Sequence, residues 1–555
     1  MASASATSAS QPIAYFHPTH WGDQFLQFTP LDNVTQLEKE QEVEHLKEQV
    51  RKELLARVAT TVDKPLELLD FIEEIERLGL AYFLEKEIEE SLVQVYENYH
   101  DQCDIDDLYH VATRFRILRQ HGYRVSSDVF KKFKNEQGGF KDCILNDVPG
   151  LLSLYEASYV RIHGDDILDE AIVFTTTHLK LMVDKLSSPL AEQVAHALDQ
   201  PLHYGFVRLE SKHYIGFYEQ YPSHNKTLLK LAKLDFNLLQ LLHKQEFQDI
   251  SSWWNDFYPK VPFVRDRLVE AYFWVLGCYY EREYSSARKT FIKIFMIVQV
   301  FDDVFDAYGT YDILKLLVEA VKRWDYSYIA KLPEYFDCCY QKLLETVDEV
   351  EDKLAKEGRS QGVECYKERM NRVCEAWLEE AKWCGQRYSP GFEEYVGVAK
   401  ISIAQILGFV SSMLGMGPVA TNEGIAWVCQ EPMPTLVDAS HVIFRLKNDL
   451  GSTEFEQNSR THVVSCIQCY MKEHDDVDEE QVYQIIEKKV DDAWKDFNQA
   501  LLRPYVIPKP LNDRILHLTR AVMVFYKDRT DGYTIVNKII QDKVASVLVH
   551  PIPMT

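Results

Sequence analysis

The sequence predicts an all-α protein in two helical parts, on three observations. From Val34 onward apolar residues recur every three or four positions with charges between them, the period of helices that bury one face. Alternating, strand-like stretches are scarce. At 555 residues the chain exceeds one ordinary domain, and its 46% apolar content supports large cores.

The elements follow in order. Residues 1–30 carry turn-forming and aromatic signals (Pro12, Pro18, Trp21, Gly22, Pro30) but little helical period, and read as an arm laid on the body. Helical patterns then run through Leu37–Leu55, Pro65–Leu78 and Lys86–Tyr99. The turn-rich Tyr221-Pro222-Ser223-His224-Asn225 precedes the periodic Leu228–Leu242. This places a boundary between an N-terminal domain, 31–225, and a C-terminal one, 226–555. No short repeat points to a solenoid.

Composition narrows the function. A net charge of −25 argues against nucleic acid or an anionic membrane surface as partner. An anionic substrate would then need cations placed locally. Eleven scattered cysteines read as reduced and intracellular. Cys466-x-x-Cys469 has no second pair and, like Cys338-Cys339, is assigned to helix packing. The best candidate for a membrane span, Ile401–Met416, is shorter than the roughly 20 residues a bilayer needs. With Ser402, Gln405, Gly408, Ser411, Ser412 and Gly415 it reads as a buried, kinked helix. The start, Met1–Ser10, has no arginine and no apolar core for a secretory signal.

The chemistry concentrates in the C-terminal part. Phe-Asp-Asp-Val-Phe-Asp at 301–306 sets Asp302, Asp303 and Asp306 at the end of an apolar run, Phe291–Phe301. On a helix Asp302 and Asp306 share a face. Two such carboxylates repel unless a hard cation joins them, and Mg²⁺ suits a few carboxylates completed by substrate phosphates. Asp165–Asp169 repeats the spacing after His163-Gly164 and is read as a solvated helix start. A second oxygen face comes from Asn448, Ser452 and Glu456, at i, i+4 and i+8, with Arg445 nearly aligned. Arg265-Asp266-Arg267 adds cations; alone, the triplet is a surface salt-bridge cluster.

These motifs, in this order, resemble the plant terpene synthases of the class I, ionisation-initiated type, most closely the sesquiterpene cyclases. The family's aspartate-rich motif matches Asp302, Asp303 and Asp306, and its second metal motif matches Asn448, Ser452 and Glu456. Its R-x-R element matches Arg265 and Arg267, its diphosphate-sensing arginine Arg445, its pocket-floor tryptophan Trp274, and its C-terminal aromatic pattern Tyr526, Asp531 and Tyr533. The likeness runs from Pro12 to the end, including Trp21-Gly22-Asp23 and Arg119-Gln120-His121-Gly122-Tyr123. It departs at Gln11, where the family often has arginine before the proline, and at Asn255 and Thr453.

The resemblance implies an α-barrel for each domain, the C-terminal one catalytic with the class I isoprenoid synthase fold. The N-terminal barrel, lacking D-x-D-D, would be non-catalytic, with the arm capping the pocket. It implies three Mg²⁺ ions, with Mn²⁺ as a substitute. Asp302 and Asp306 would hold two, and Asn448, Ser452 and Glu456 the third, with Asp303 orienting neighbours. Arg265, Asp302, Asp306, Arg445 and Asn448 would bind the substrate. Trp274, Tyr526 and Tyr533 would face the carbocation, and Asp531 would support a tyrosine or assist proton loss. A broken helix would turn free carbonyls to the cavity. The short leader favours the cytosol and, with it, farnesyl diphosphate as substrate. The resemblance further implies a cyclic hydrocarbon or alcohol as product, and a monomer is expected. A monoterpene or acyclic-alcohol synthase is the nearer alternative; a non-catalytic prenyl-diphosphate-binding scaffold is the more distant one.

Overall fold

The structure, a computed structural model, describes residues 18–22, 24–25, 28–59, 65–99, 107–459, 464–474 and 476–554. Among the described residues helices carry the chain, and the sole extended pairing is an isolated bridge between Lys134 and Phe140. The early helices, Asn33–Ala59, Pro65–Arg77 and Glu85–Tyr99, fall where the periodicity puts them. Gln11 and Pro12 lie outside the described residues.

Buried side chains form two hydrophobic cores. The long helix Lys226–Phe257 serves both. It starts where Asn225 caps it, accepting the Thr227 and Leu228 amides at 3.0 and 3.2 Å. Leu228 to Leu238 then pack in the first core, while Phe247, Ile250, Trp254 and Phe257 pack in the second. Trp21 and Phe25 also join the second core, and the Trp21 indole donates to Glu270 at 2.7 Å.

The Asp165–Asp169 segment differs in part from its reading. It does begin a helix, Asp166–Met182, but Asp165 is buried. Arg119 reaches it at 3.2 Å and the Ile162 amide donates to it at 3.0 Å. Asp169 pairs with Arg161 and Lys495, each at 2.8 Å. Packing against basic residues satisfies Asp165 and Asp169, while Asp166 is exposed at the helix start, as read.

Arg119-Gln120-His121-Gly122-Tyr123 forms a clasp between the two parts. The Arg503 amide donates to the Gly122 carbonyl at 2.8 Å, and Arg503 Nε and the Tyr505 hydroxyl donate to the His121 carbonyl at 3.0 and 2.8 Å. Gly122 has φ +80°, and a Cβ on it would meet the Tyr505 hydroxyl at 2.5 Å, so a side chain there would be both strained and crowded. The His121 ring lies 2.6 Å from Glu76 and 3.5 Å from Glu89. Burial opposes its charge, but the Glu76 carboxylate prevails and holds the imidazole up at about 9. The same surroundings, against burial, hold the Glu89 carboxyl down to about 2. The His121 contribution is therefore complete below its ordinary value of 6.5 and is lost as pH rises through about 9. His121→Gln is expected to remove on the order of 2–3 kcal/mol of the stability that wild type loses between neutral pH and pH ~9.5. Urea unfolding at the two pH values measures it; an equal loss in both proteins contradicts it.

The apolar Ile401–Met416 is broken, as its glycines and serines suggested, and the break falls after Ser402 rather than at a glycine. Helix Phe392–Ser402 stops, and helix Gln405–Leu414 restarts after Ala404, which takes a left-handed φ of +57°. Gly408 sits inside the second helix. The segment Phe392–Leu414 is long and apolar enough to cross a membrane by length and composition, yet it is interrupted at its middle and 56% of its most apolar window is buried in the protein.

Candidate active site

The first acidic face ends a buried helix, Ser285–Asp303, whose Phe291, Ile297, Val300 and Phe301 are fully packed. Beyond Asp303 the backbone does not continue as α-helix. Val304–Tyr308 widens into a π turn, closed by the Gly309 amide on the Val304 carbonyl at 2.8 Å. Such turns often mark functional sites. Asp302 and Asp306 line one cavity, while Asp303 between them is 0% exposed and faces the other way.

The second face lies on helix Thr435–Ser459. Arg445, Asn448 and Ser452 line the same cavity. Glu456 belongs to this helix, one turn past Ser452; its side chain lies outside the described residues. Asp449 is buried behind the face, where it accepts the Cys466 amide at 2.9 Å, the Tyr395 hydroxyl at 3.1 Å and the Arg445 guanidinium.

The two faces thus share a plan: cavity-lining donors backed by a buried aspartate that fixes an arginine. On the first, Asp303 takes Arg265 Nε at 2.7 Å and the Arg265 amide at 2.8 Å. Arg265 also reaches Asp302, and Thr534 Oγ1 at 3.0 Å. Its R-x-R partner differs. Arg267 is 0% exposed and donates to the carbonyls of Tyr533 and Thr534 at 3.2 and 3.0 Å. The surface-cluster reading does not hold here, because the chain turns Arg267 behind the wall. It secures the 533–534 segment instead.

Aromatic rings line the same cavity as the acids. Trp274 stacks on Phe525 with centroids 4.7 Å apart and meets Tyr533 edge-on at 5.8 Å. Tyr526 lies edge-on to Trp274 at 6.3 Å. Asp531 accepts the amides of Tyr533 and Thr534 at 3.0 and 2.8 Å, so it shapes the loop that presents Tyr533. At the helix break the Ser402 carbonyl accepts the Trp377 indole at 2.8 Å and is therefore not free. The Ala404 carbonyl accepts the Leu407 and Gly408 amides.

Glu380 escaped the sequence reading. It lines the cavity on helix Gln361–Gln386 and takes the Ser402 hydroxyl at 2.7 Å. Burial, with Asp306 and Asp449 nearby, pushes its carboxyl up to about 8 against the pull of Arg445. It reads in sequence as one of many helix acids, beside Glu379; only tertiary packing turns it toward Asp306. Gln299 was missed too: it spans the Arg265 carbonyl, at 2.6 Å, and the Tyr533 hydroxyl.

A family model described as "Terpene synthase family, metal binding domain" matches residues 255–496, and one described as "Terpene synthase, N-terminal domain" matches residues 20–198. The chain belongs to the terpene synthase family. A probable sesquiterpene synthase of Santalum murrayanum is 49% identical over 98% of this chain and 96% of its own length. A valencene synthase of Vitis vinifera is 46% identical over 98% and 97%. The crystal structure of isoprene synthase from grey poplar (Populus x canescens), in complex with three Mg²⁺ ions and dimethylallyl-S-thiolodiphosphate, matches with TM-score 0.84 and 32% identity over 92% of this chain and 97% of that one. A limonene synthase with 2-fluorolinalyl diphosphate matches with TM-score 0.87 and 28% identity over 97% and 99%.

A terpene synthase of this kind uses a divalent metal, and the residues fit one. Asp302, Asp306, Asn448 and Ser452 present hard oxygen donors to one cavity. The Ser452 hydroxyl is buried with no hydrogen-bond partner among the described residues, as a donor awaiting a cation would be. Asp302 and Asp306 on one side and Asn448, Ser452 and Glu456 on the other would hold the metal, with Glu380 beside Asp306.

Proposed function

We propose that this terpene synthase is a sesquiterpene synthase, which ionises farnesyl diphosphate and turns the cation into a cyclic sesquiterpene, hydrocarbon or alcohol, releasing diphosphate. The observation that carries the reading is one cavity with a charged end, where two oxygen-donor faces each bring an arginine, and an aromatic body bounded by Trp274, Phe295, Phe444, Tyr526 and Tyr533. The names of relatives at 46–49% identity support the chain length of the substrate.

When bound, Mg²⁺ supplies Lewis-acid charge to the leaving diphosphate. Three ions are our reading, supported by the poplar enzyme's complex, with Mn²⁺ as a substitute. Arg265 and Arg445 orient the diphosphate and stabilise the charge it gains as the carbon–oxygen bond breaks. The bonding pair leaves with the diphosphate, so no protein nucleophile is required. The rings of Trp274, Tyr526 and Tyr533 face the allylic cation, each worth ~0.5–2 kcal/mol. Burial keeps both tyrosine hydroxyls protonated, so they offer faces rather than phenolate. Arg267 and Asp531 hold the 531–534 segment against the cavity and exclude water. The departing proton goes to diphosphate, or to Asp531. We further propose a cytosolic monomer; the described cysteines, all unpaired, accord with a reducing compartment.

Incubation with farnesyl diphosphate and Mg²⁺ is expected to release diphosphate and a cyclic C15 product, and a chelator to stop both. A folded, metal-supplied protein that releases none would leave the binding-scaffold reading; faster turnover of geranyl diphosphate would favour a monoterpene synthase.

A further inference from the structure

Two hydroxyls on the cavity wall are buried with no hydrogen-bond partner among the described residues, those of Ser452 and Ser411. Ser452 belongs to the metal-donor face. Ser411 does not. A helical serine commonly returns its hydroxyl to a carbonyl of the preceding turn, as Ser412 does to Phe409 at 2.8 Å. Ser411 forgoes that bond. The side chains of Gln299, Ser402 and Gln405 along this wall are engaged: Gln299 with Arg265 and Tyr533, Ser402 with Glu380, Gln405 with Ser440.

Its depth follows from packing. Helix Gln405–Leu414 lies against helix Ser285–Asp303. Past one end, Gly415 is so close to the partner helix that a Cβ would meet Ala287 Cα at 2.4 Å. Toward the other, Ser402 and Ala404 share the wall with Asp302 and Asp306. The two helices therefore run antiparallel. Ser411, one turn before Gly415, stands near the level of Phe291, about 16 Å along the helix from Asp302. Gly408, three residues before Ser411, also lines the cavity. A Cβ there would find only Leu518 Cδ1, at 3.9 Å, so the glycine keeps space open.

The geometry points to Gly408 and Ser411 as specificity-determining residues at the closed end of the cavity. Gly408 leaves room for the far end of the hydrocarbon chain. The Ser411 hydroxyl offers its lone pair to the positive charge that arrives there on ring closure. This rests on the prenyl diphosphate reading above. Once the carbon–oxygen pair has left with diphosphate, C1 is cationic. The π pair of the distal alkene then forms the new carbon–carbon bond and leaves its other carbon positive. An oxygen lone pair beside that carbon lowers this cation relative to competing ones. For a hydrocarbon product the proton finally lost goes to diphosphate and no co-reactant is consumed; an alcohol product takes up one water and gives its proton to diphosphate.

The test compares wild type with Ser411→Ala, Ser411→Thr and Gly408→Val, counting each product by gas chromatography and mass spectrometry per diphosphate released. Ser411→Ala is expected to cut the share of the principal product at least about fivefold, and Ser411→Thr to retain it. Gly408→Val is expected to shift the kcat/KM ratio about tenfold toward geranyl over farnesyl diphosphate. An unchanged product spectrum in Ser411→Ala, or the same change in Ser411→Thr, overturns the role of the hydroxyl. An unchanged substrate ratio in Gly408→Val overturns the role of the glycine. Wild type failing on farnesyl diphosphate strikes the proposed substrate instead, and the variants are then compared on whichever prenyl diphosphate wild type turns over.

Discussion

Asp302→Ala is expected to lower diphosphate release at least about 10³-fold while leaving the protein folded. The two halves of that expectation have separate causes. Asp302 lines the cavity, and its side chain is 32% exposed. Its carboxylate is one of the hard donors that fix the metal against the leaving group, where charge develops as the bond breaks. Its structural partner is Arg265, which keeps the fully buried Asp303 when Asp302 is gone. A half-open ion pair contributes little to the fold, about 0–1 kcal/mol. Single-turnover release of diphosphate and a urea unfolding curve are the measurements. Release within tenfold of wild type would remove Asp302 from the metal site.

The adjacent residue is expected to fail in the opposite way. Asp303→Ala is expected to cost about 3–5 kcal/mol of stability, the usual result of breaking a buried pair by removing one partner. Asp303 is 0% exposed, and both the Arg265 guanidinium and the Arg265 amide bond to it. Without it a buried guanidinium loses its inner counter-ion and the loop carrying it loses an anchor. Activity falls as well, because Arg265 no longer points at the diphosphate position. Urea unfolding in the presence of a chelator isolates the structural part. A midpoint shift no larger than that of Asp302→Ala would contradict the assignment.

This contrast shows what the sequence could convey. The spacing of Asp302 and Asp306, and of Asn448 and Ser452, identifies a helical face, and the structure turns each of these four onto one cavity. Spacing does not say which of two adjacent acids faces inward, because neighbours on a helix differ by about 100°. Asp303 and Asp449 fall on the hidden side. Arg267 also lies behind the wall, since its loop turns between one guanidinium and the next. The π turn after Asp303 and the left-handed Ala404 carry no composition signal, since ordinary residues occupy both. Glu380 is invisible for another reason: its helix bears many acids, and only the packing of three helices brings this one beside Asp306 and Arg445. The helices themselves were legible because burial on one face imposes a period. The two cores were less so, because one continuous helix, Lys226–Phe257, contributes to both.

The central claim is that the two donor faces close on one metal–diphosphate cluster. The most direct measurement is a crystal structure with Mg²⁺ and a non-cleavable thiolo analogue of farnesyl diphosphate. The account predicts metal density bridging Asp302 and Asp306 on one side and Asn448, Ser452 and Glu456 on the other, with Arg265 and Arg445 on the diphosphate oxygens and the hydrocarbon chain running toward Ser411. Diphosphate bound outside this cavity, or metal on one face alone, would contradict it.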